Sequence, residues 1–193
     1  MNKLIRLAVL LALVSCGGGQ NQAPRNLDDA CSILDQRRNF LSAMQSSERR
    51  WGVPVHVQMA TLYQESKFIG NAKTPHQYAL WIIPMGRQSS AYGFSQALDG
   101  TWDDYRDASD RPGARRNRFD DAADFMGWYM NQASQKLGIS KYDAANLYLA
   151  YHEGVNGYAN GSHNGKAWLL RVAANVGERA DLYQRQLIAC GKI

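Results

Sequence analysis

The chain has 193 residues, enough for one domain with a real core and too few for two comfortable ones. Hydrophobic residues make up 45% and charged residues 20%, the composition of an ordinary globular protein. The formal net charge of +5 is a mild bias towards anionic partners such as cell-wall polymers or lipid headgroups, too small and too mixed with Asp and Glu to argue for nucleic acid.

The first residues read as a secretory signal. Lys3 and Arg6 give a positive start and Leu7 to Val14 a short apolar run, too short to span a bilayer as a mature helix. The run ends Leu13-Val14-Ser15-Cys16, which resembles the lipobox of bacterial lipoproteins. The resemblance implies that residues 1–15 are removed and that Cys16 is lipidated, anchoring the protein to a membrane surface, with Gly17 leaning the destination towards the periplasmic face of the outer membrane. Residues 16–28 are expected to hold the lipidated cysteine and a flexible tether, since 17–27 are Gly, Gln, Asn and Pro with almost nothing apolar.

Residues 29–193 are expected to form one mostly α domain. A first helix is predicted over 29–50, burying Ile33, Phe40, Leu41 and Met44, and a second over 54–67, with Pro54 at its first position. From 70 to 92 the periodicity vanishes among Gly70, Pro75, Pro84 and Gly86, which predicts a long loop with room for a short hairpin. A short helix follows Gly93, and Arg111-Pro112-Gly113 breaks the chain. Residues 119–137 carry Ala122, Met126, Tyr129 and Ala133 on one stripe, with Asp120, Asp121 and Asp124 placed to favour the helix dipole. Helices are also predicted over 142–152, stopped by Gly154 and Gly157, and over 166–187. Cys31 and Cys190 sit near the two ends of the domain. In an oxidising compartment such an isolated pair tends to join, the alternative being two independent buried thiols.

Gln58, Thr61 and Glu65 share one polar stripe, on which Glu65 alone reads as a solvated carboxylate. Its surroundings carry more. Gly52-Val53-Pro54 followed by a helix ending Gln64-Glu65-Ser66 resembles the first motif of the lytic transglycosylase SLT domain. Gly93-Phe94-Ser95-Gln96, with Thr101-Trp102 after it, is similar to that family's second motif, and Ala150-Tyr151-His152-Glu153-Gly154 to its third. The resemblance covers roughly residues 48–160 and implies a lysozyme-like helical fold. It also implies cleavage of the β-1,4 bond between N-acetylmuramic acid and N-acetylglucosamine in peptidoglycan, leaving 1,6-anhydro ends. Carried over, it makes Glu65 the acid and then the base, with Phe94 and Tyr151 desolvating it. Ser66, Gly93, Phe94, Ser95, Gln96, Tyr151, Tyr92 and Glu153 would meet or support the sugar. Tyr78, Trp81 and Tyr158 are further stacking candidates, more often plain packing aromatics when taken singly.

Ordinary glycosidases flank the bond with two carboxylates. Here no Asp or Glu occurs between Glu65 and Asp99, a layout that fits the one-carboxylate scheme. Two features depart from the family pattern. Residues 70–92 look like an insertion that could line the groove or serve a cell-envelope partner. His152-Glu153 stands where the family has Asn and a variable residue, so Glu153 would either act on Glu65 by like-charge repulsion, position a water, or turn to loop backbone. Arg111, Arg115, Arg116 and Arg118 form a basic loop that meets either acidic stem peptides or nearby Asp residues. His56, His76, His152 and His163 show no metal-binding spacing, and no cofactor is expected. Two competing readings remain: a hydrolase of goose-type lysozyme character, and a peptidoglycan-binding lipoprotein that has lost activity.

Overall fold

The computed structural model describes residues 19–79 and 83–193. The signal segment 1–15, Cys16 and Trp81 lie outside the described residues, as does the side chain of Tyr78. The described chain is mostly α, with seven helices and one hairpin: α1 (Ala30–Gln36), α2 (Arg38–Trp51), α3 (Val55–Ser66), β1 (His76–Ala79), β2 (Ile83–Arg87), α4 (Asp99–Ala108), α5 (Phe119–Leu137), α6 (Ala144–Ala159) and α7 (Ala167–Ala189).

The expected first helix is two. Asp29 caps α1 by accepting from the Ser32 amide at 3.0 Å, and Arg37, at φ −129°, breaks the run before α2 begins. Gly52, left-handed at φ 75°, ends α2, and Pro54 stands as the cap of α3 rather than inside it. The axis of the molecule is α3, buried almost all round from Val55 to Leu62. The Gln58–Thr61 stripe therefore faces inward. The Gln58 amide donates to the Met44 and Val53 carbonyls at 3.1 and 2.8 Å, and Thr61 bonds back to Val57.

Around α3 pack α2 against α5, α7 against both α3 and α6, and α6 against α5. Three aromatics join the N-terminal helices to the loop after the hairpin. Phe40 and Phe119 stack at 3.4 Å, and Phe94 meets Phe119 edge-on at 5.1 Å. A smaller core of Trp102, Tyr105, Phe125 and Trp128 lies under α4.

Three expectations are revised. No long loop insertion is evident between 70 and 92. The chain there folds as an antiparallel hairpin pairing His76 with Arg87 and Ala79 with Ile83, with a bulge between Gln77 and Tyr78. Gly154 does not stop α6: at φ 76° and ψ 158° it kinks the helix, which runs on to Ala159. The described part of the expected tether is strapped to the body. The Gly70 amide donates to the Gln20 carbonyl at 2.6 Å, Arg25 and Gln36 exchange two hydrogen bonds, and the Leu27 carbonyl accepts from the Tyr183 hydroxyl. Short polar residues suit such a strap because their carbonyls stay accessible to side-chain donors. Cys31 and Cys190 form a disulfide that ties α1 to the end of α7.

Candidate active site

The last turn of α3 places Glu65 on the wall of a groove of about 550 Å³. Thr74, Ser89 and Ala91 of the hairpin's base line it from one side, Phe125 and Tyr129 of α5 from below, and Tyr151, His152, Glu153 and Gly154 of α6 from the other. Gln96, Ala97, Leu98 and Thr101 complete it. Sites enclosed by several elements in this way suit a chain-like ligand lying across them.

Glu65 is half-buried and lines the groove. Loss of water around the carboxyl raises its pKa to about 7, opposed by a hydrogen bond from Tyr148 and by the charge of Lys67. The Tyr148 hydroxyl lies between Glu65 and Gln64 and is itself pushed well above its ordinary value by burial and by the Glu65 charge. Tyr148 was missed in the sequence. Its signal was position, since it stands one turn before Tyr151 on the same face of α6.

Tyr151 also faces Glu65, but its hydroxyl donates to the Ser95 carbonyl at 2.5 Å and not to the carboxylate. It thereby fastens the Gly93–Gln96 turn to α6. Gly93 begins that turn at φ 79°, where a Cβ would stand 2.2 Å from the Arg116 carbonyl, so only glycine fits. Gln96, also left-handed at φ 50°, spends its amide nitrogen on the carbonyls of Ala72 (3.1 Å) and Gly93 (2.7 Å). Its carbonyl oxygen, on the groove wall, is the atom it can offer a ligand. Lys67 and Phe68 leave α3 with φ of 54° and 61°, a left-handed exit directly after the Glu65 turn.

Glu153 lines the groove, yet its carboxylate is already engaged. Lys166 bonds both oxygens at 2.8 and 2.7 Å, Ser162 takes one of them, and His152 lies at 3.0 Å. These donors, Lys166 foremost, hold its pKa down to about 2. What raises Glu65 is burial, with no part played by Glu153.

Other expected ligand residues fall behind the wall. Ser66 is buried and returns its hydroxyl to Leu62, a helix-end bond that turns it away from the groove. Phe94 is fully buried between Phe40 and Phe119, so it supports the turn from the core. Ser95 is fully buried and contributes its carbonyl. Tyr92 lies over a separate hollow beside Arg116, and Tyr158 stacks on His163 while donating to Asn146.

Arg111, Arg116 and Arg118 of the basic loop pair with Asp residues. Asp124 accepts from Arg50, Trp51, Tyr105 and Arg111, and Asp121 from Arg111 and the Arg115 amide. Arg116 pairs with Asp99 at 2.7 Å. Asp121 and Asp124 are thus buried ion-pair partners first, and dipole residues second.

The chain matches, over residues 4–190, the sequence profile of a family described as the transglycosylase SLT domain. The protein belongs to that family. A comparison with curated proteins found no match. Membership in the SLT family implies a peptidoglycan substrate and a transglycosylase type of chemistry for the groove.

Proposed function

We propose that the protein is a peptidoglycan lytic transglycosylase that cuts the N-acetylmuramic acid–β-1,4–N-acetylglucosamine bond and leaves 1,6-anhydromuramoyl ends. The observation that carries this reading is the inequality of the two groove carboxyls. Glu65 has a pKa near 7 and keeps a proton available at neutral pH, whereas Glu153 is consumed by Lys166, Ser162 and His152. A two-carboxylate hydrolysis needs a second free group to activate water or attack carbon, and the second groove carboxyl, Glu153, is tied to Lys166 and Ser162.

In the proposed reaction, the Glu65 carboxyl gives its proton to the glycosidic oxygen as the C1–O bond breaks. The N-acetylglucosamine unit leaves with that proton. The substrate's own N-acetyl group stabilises the cation at C1, and the muramoyl O6 hydroxyl then attacks C1. Its proton returns to the Glu65 carboxylate, so the acid is regenerated and no water is consumed. Intramolecular attack is favoured because O6 is already held close to C1. Tyr148 orients the carboxyl and stabilises its ionised form between the two proton transfers. The carbonyl of Gln96 accepts from a sugar hydroxyl next to the cleaved bond.

The N-terminal pattern of Lys3, Arg6, an apolar run and Cys16 supports a periplasmic enzyme anchored by lipid, on the outer membrane. The deciding experiment is digestion of purified sacculi by the protein and by Glu65→Gln, with mass analysis of the released fragments. Anhydromuramoyl ends that vanish in the variant are expected. Reducing ends would replace the reading with hydrolysis, and sacculi bound but uncut would replace it with a binding protein.

A further inference from the structure

A second hollow, of about 500 Å³, lies between the last turn of α3 and the middle of α7. Its walls carry Lys67, Arg179 and Arg185 against a single carboxylate, Glu178. Of the three cations, only Arg179 has a carboxylate partner, Asp28 at 2.9 Å. Lys67 and Arg185 make no ion pair or hydrogen bond among the described residues, and Lys67 is half-buried all the same.

The cations are held in place. The Lys67 ammonium stands 3.5 Å from the centre of the Tyr63 ring and the Arg179 guanidinium 3.6 Å from it, so one phenol ring carries both. Lys67 is also the C-cap of α3 in a left-handed conformation, where glycine is the ordinary residue. A half-buried ammonium at a left-handed position, which feels the Glu65 carboxyl but makes no ion pair among the described residues, gains a direct partner from an anion in the hollow. Gln64 and Asn175 add uncharged hydrogen-bonding groups to the same walls.

The hollow shares one turn of helix with the acid. Gln64 and Lys67 face it, Glu65 faces the groove, and the Tyr148 hydroxyl contacts both Gln64 and Glu65. On the reading given above, the strand bears side arms, because muramic acid carries peptides with free carboxylates.

We propose that the hollow formed by Lys67, Arg179 and Arg185 binds a carboxylate of the peptide arm on the strand being cut, making the enzyme selective for peptide-bearing over naked glycan. Its volume is that of a site for a short segment of a ligand.

The test compares cutting of peptide-bearing strands with cutting of the same strands stripped by an amidase. It uses the unsubstituted protein, Arg185→Gln, Arg185→Lys and the double variant Arg185→Gln with Lys67→Gln. Arg185 is exposed and unpaired, so its replacement leaves the fold intact, which a melting curve checks. The ratio of kcat/KM on the two substrates is expected to favour peptide-bearing strands and to drop roughly tenfold in Arg185→Gln, the worth of one charge-assisted contact. It should drop further in the double variant and recover in Arg185→Lys. An unchanged ratio in variants that still cut both substrates overturns the proposal. So does an unchanged ratio together with lost binding to phosphatidylglycerol vesicles, which would assign the hollow to a membrane surface. Failure of the unsubstituted protein to cut either substrate would overturn the reading of function itself, a separate result.

Discussion

At Glu65 a carboxylic acid is kept where it prefers to be neutral, and the cost appears in stability. Its folded pKa is about 7, against about 4.5 in the unfolded chain, so between these values the folded state holds the extra proton. Stability is therefore greatest below about pH 4.5, falls as pH rises towards 7, and is level above it. The full difference is about 3 kcal/mol by proton linkage. Glu65→Gln cannot ionise, so it should melt higher than the unsubstituted protein at pH 8 and equally at pH 4. Equal melting at both values would show that the carboxyl is not desolvated. Tyr148 acts in the other direction, since its hydrogen bond favours the ionised carboxylate. Tyr148→Phe should move the alkaline limb of the pH–rate profile to higher pH and lower the rate about 10- to 100-fold. A limb that stays in place would remove Tyr148 from the proton-transfer machinery.

Among the elements, the Gly93–Gln96 turn is the part of the groove with least tolerance. It hangs from Tyr151 through the Ser95 carbonyl, from Arg116 through the Phe94 amide, and from Ala72 through Gln96. Gly93→Ala places a methyl into the Arg116 carbonyl and forces a left-handed alanine. It should cost about 2–4 kcal/mol and abolish activity even at temperatures where the fold survives, read by calorimetry beside a sacculus assay. This turn was legible in the sequence because glycine and glutamine hold their spacing whatever their side chains do. The roles of its other members were not. Phe94 and Ser95 read as ligand residues, yet both are fully buried, because a four-residue turn pinned on both sides must send some side chains into the core. The kink in α6 escaped for a related reason. A glycine in a helical run signals a stop, and only the backbone beyond Gly154 shows that the helix resumes.

For the whole molecule, the order and extent of the helices followed from hydrophobic spacing, as α5 shows by running over the predicted 119–137. What spacing does not carry is long-range polar pairing. The four donors on Asp124 are Arg50 and Trp51 of α2, Tyr105 of α4 and Arg111 of the loop after it, and no local pattern announces them. The docking of residues 19–27 was hidden likewise, since a polar, glycine-rich stretch has no periodicity to betray the carbonyls it will use. The Cys31–Cys190 pairing was legible because only two cysteines remain in the domain. It spans 159 residues, so its removal by Cys31→Ser should cost about 4–5 kcal/mol in the chain-entropy model and lower the melting temperature on the order of 10 °C. A shift of a degree or two would mean that the helices alone hold the ends together.

That bridge has a topological consequence. Between Cys31 and Cys190 lie the acid, the groove, the hairpin and nearly all of the helices, so this part of the covalent structure is a closed ring. A single backbone cut at the exposed Gly86 or Arg87 opens the ring without releasing a piece. The nicked protein would keep its mass on a gel until a reductant is added, and its two halves would stay at each other's disposal for refolding.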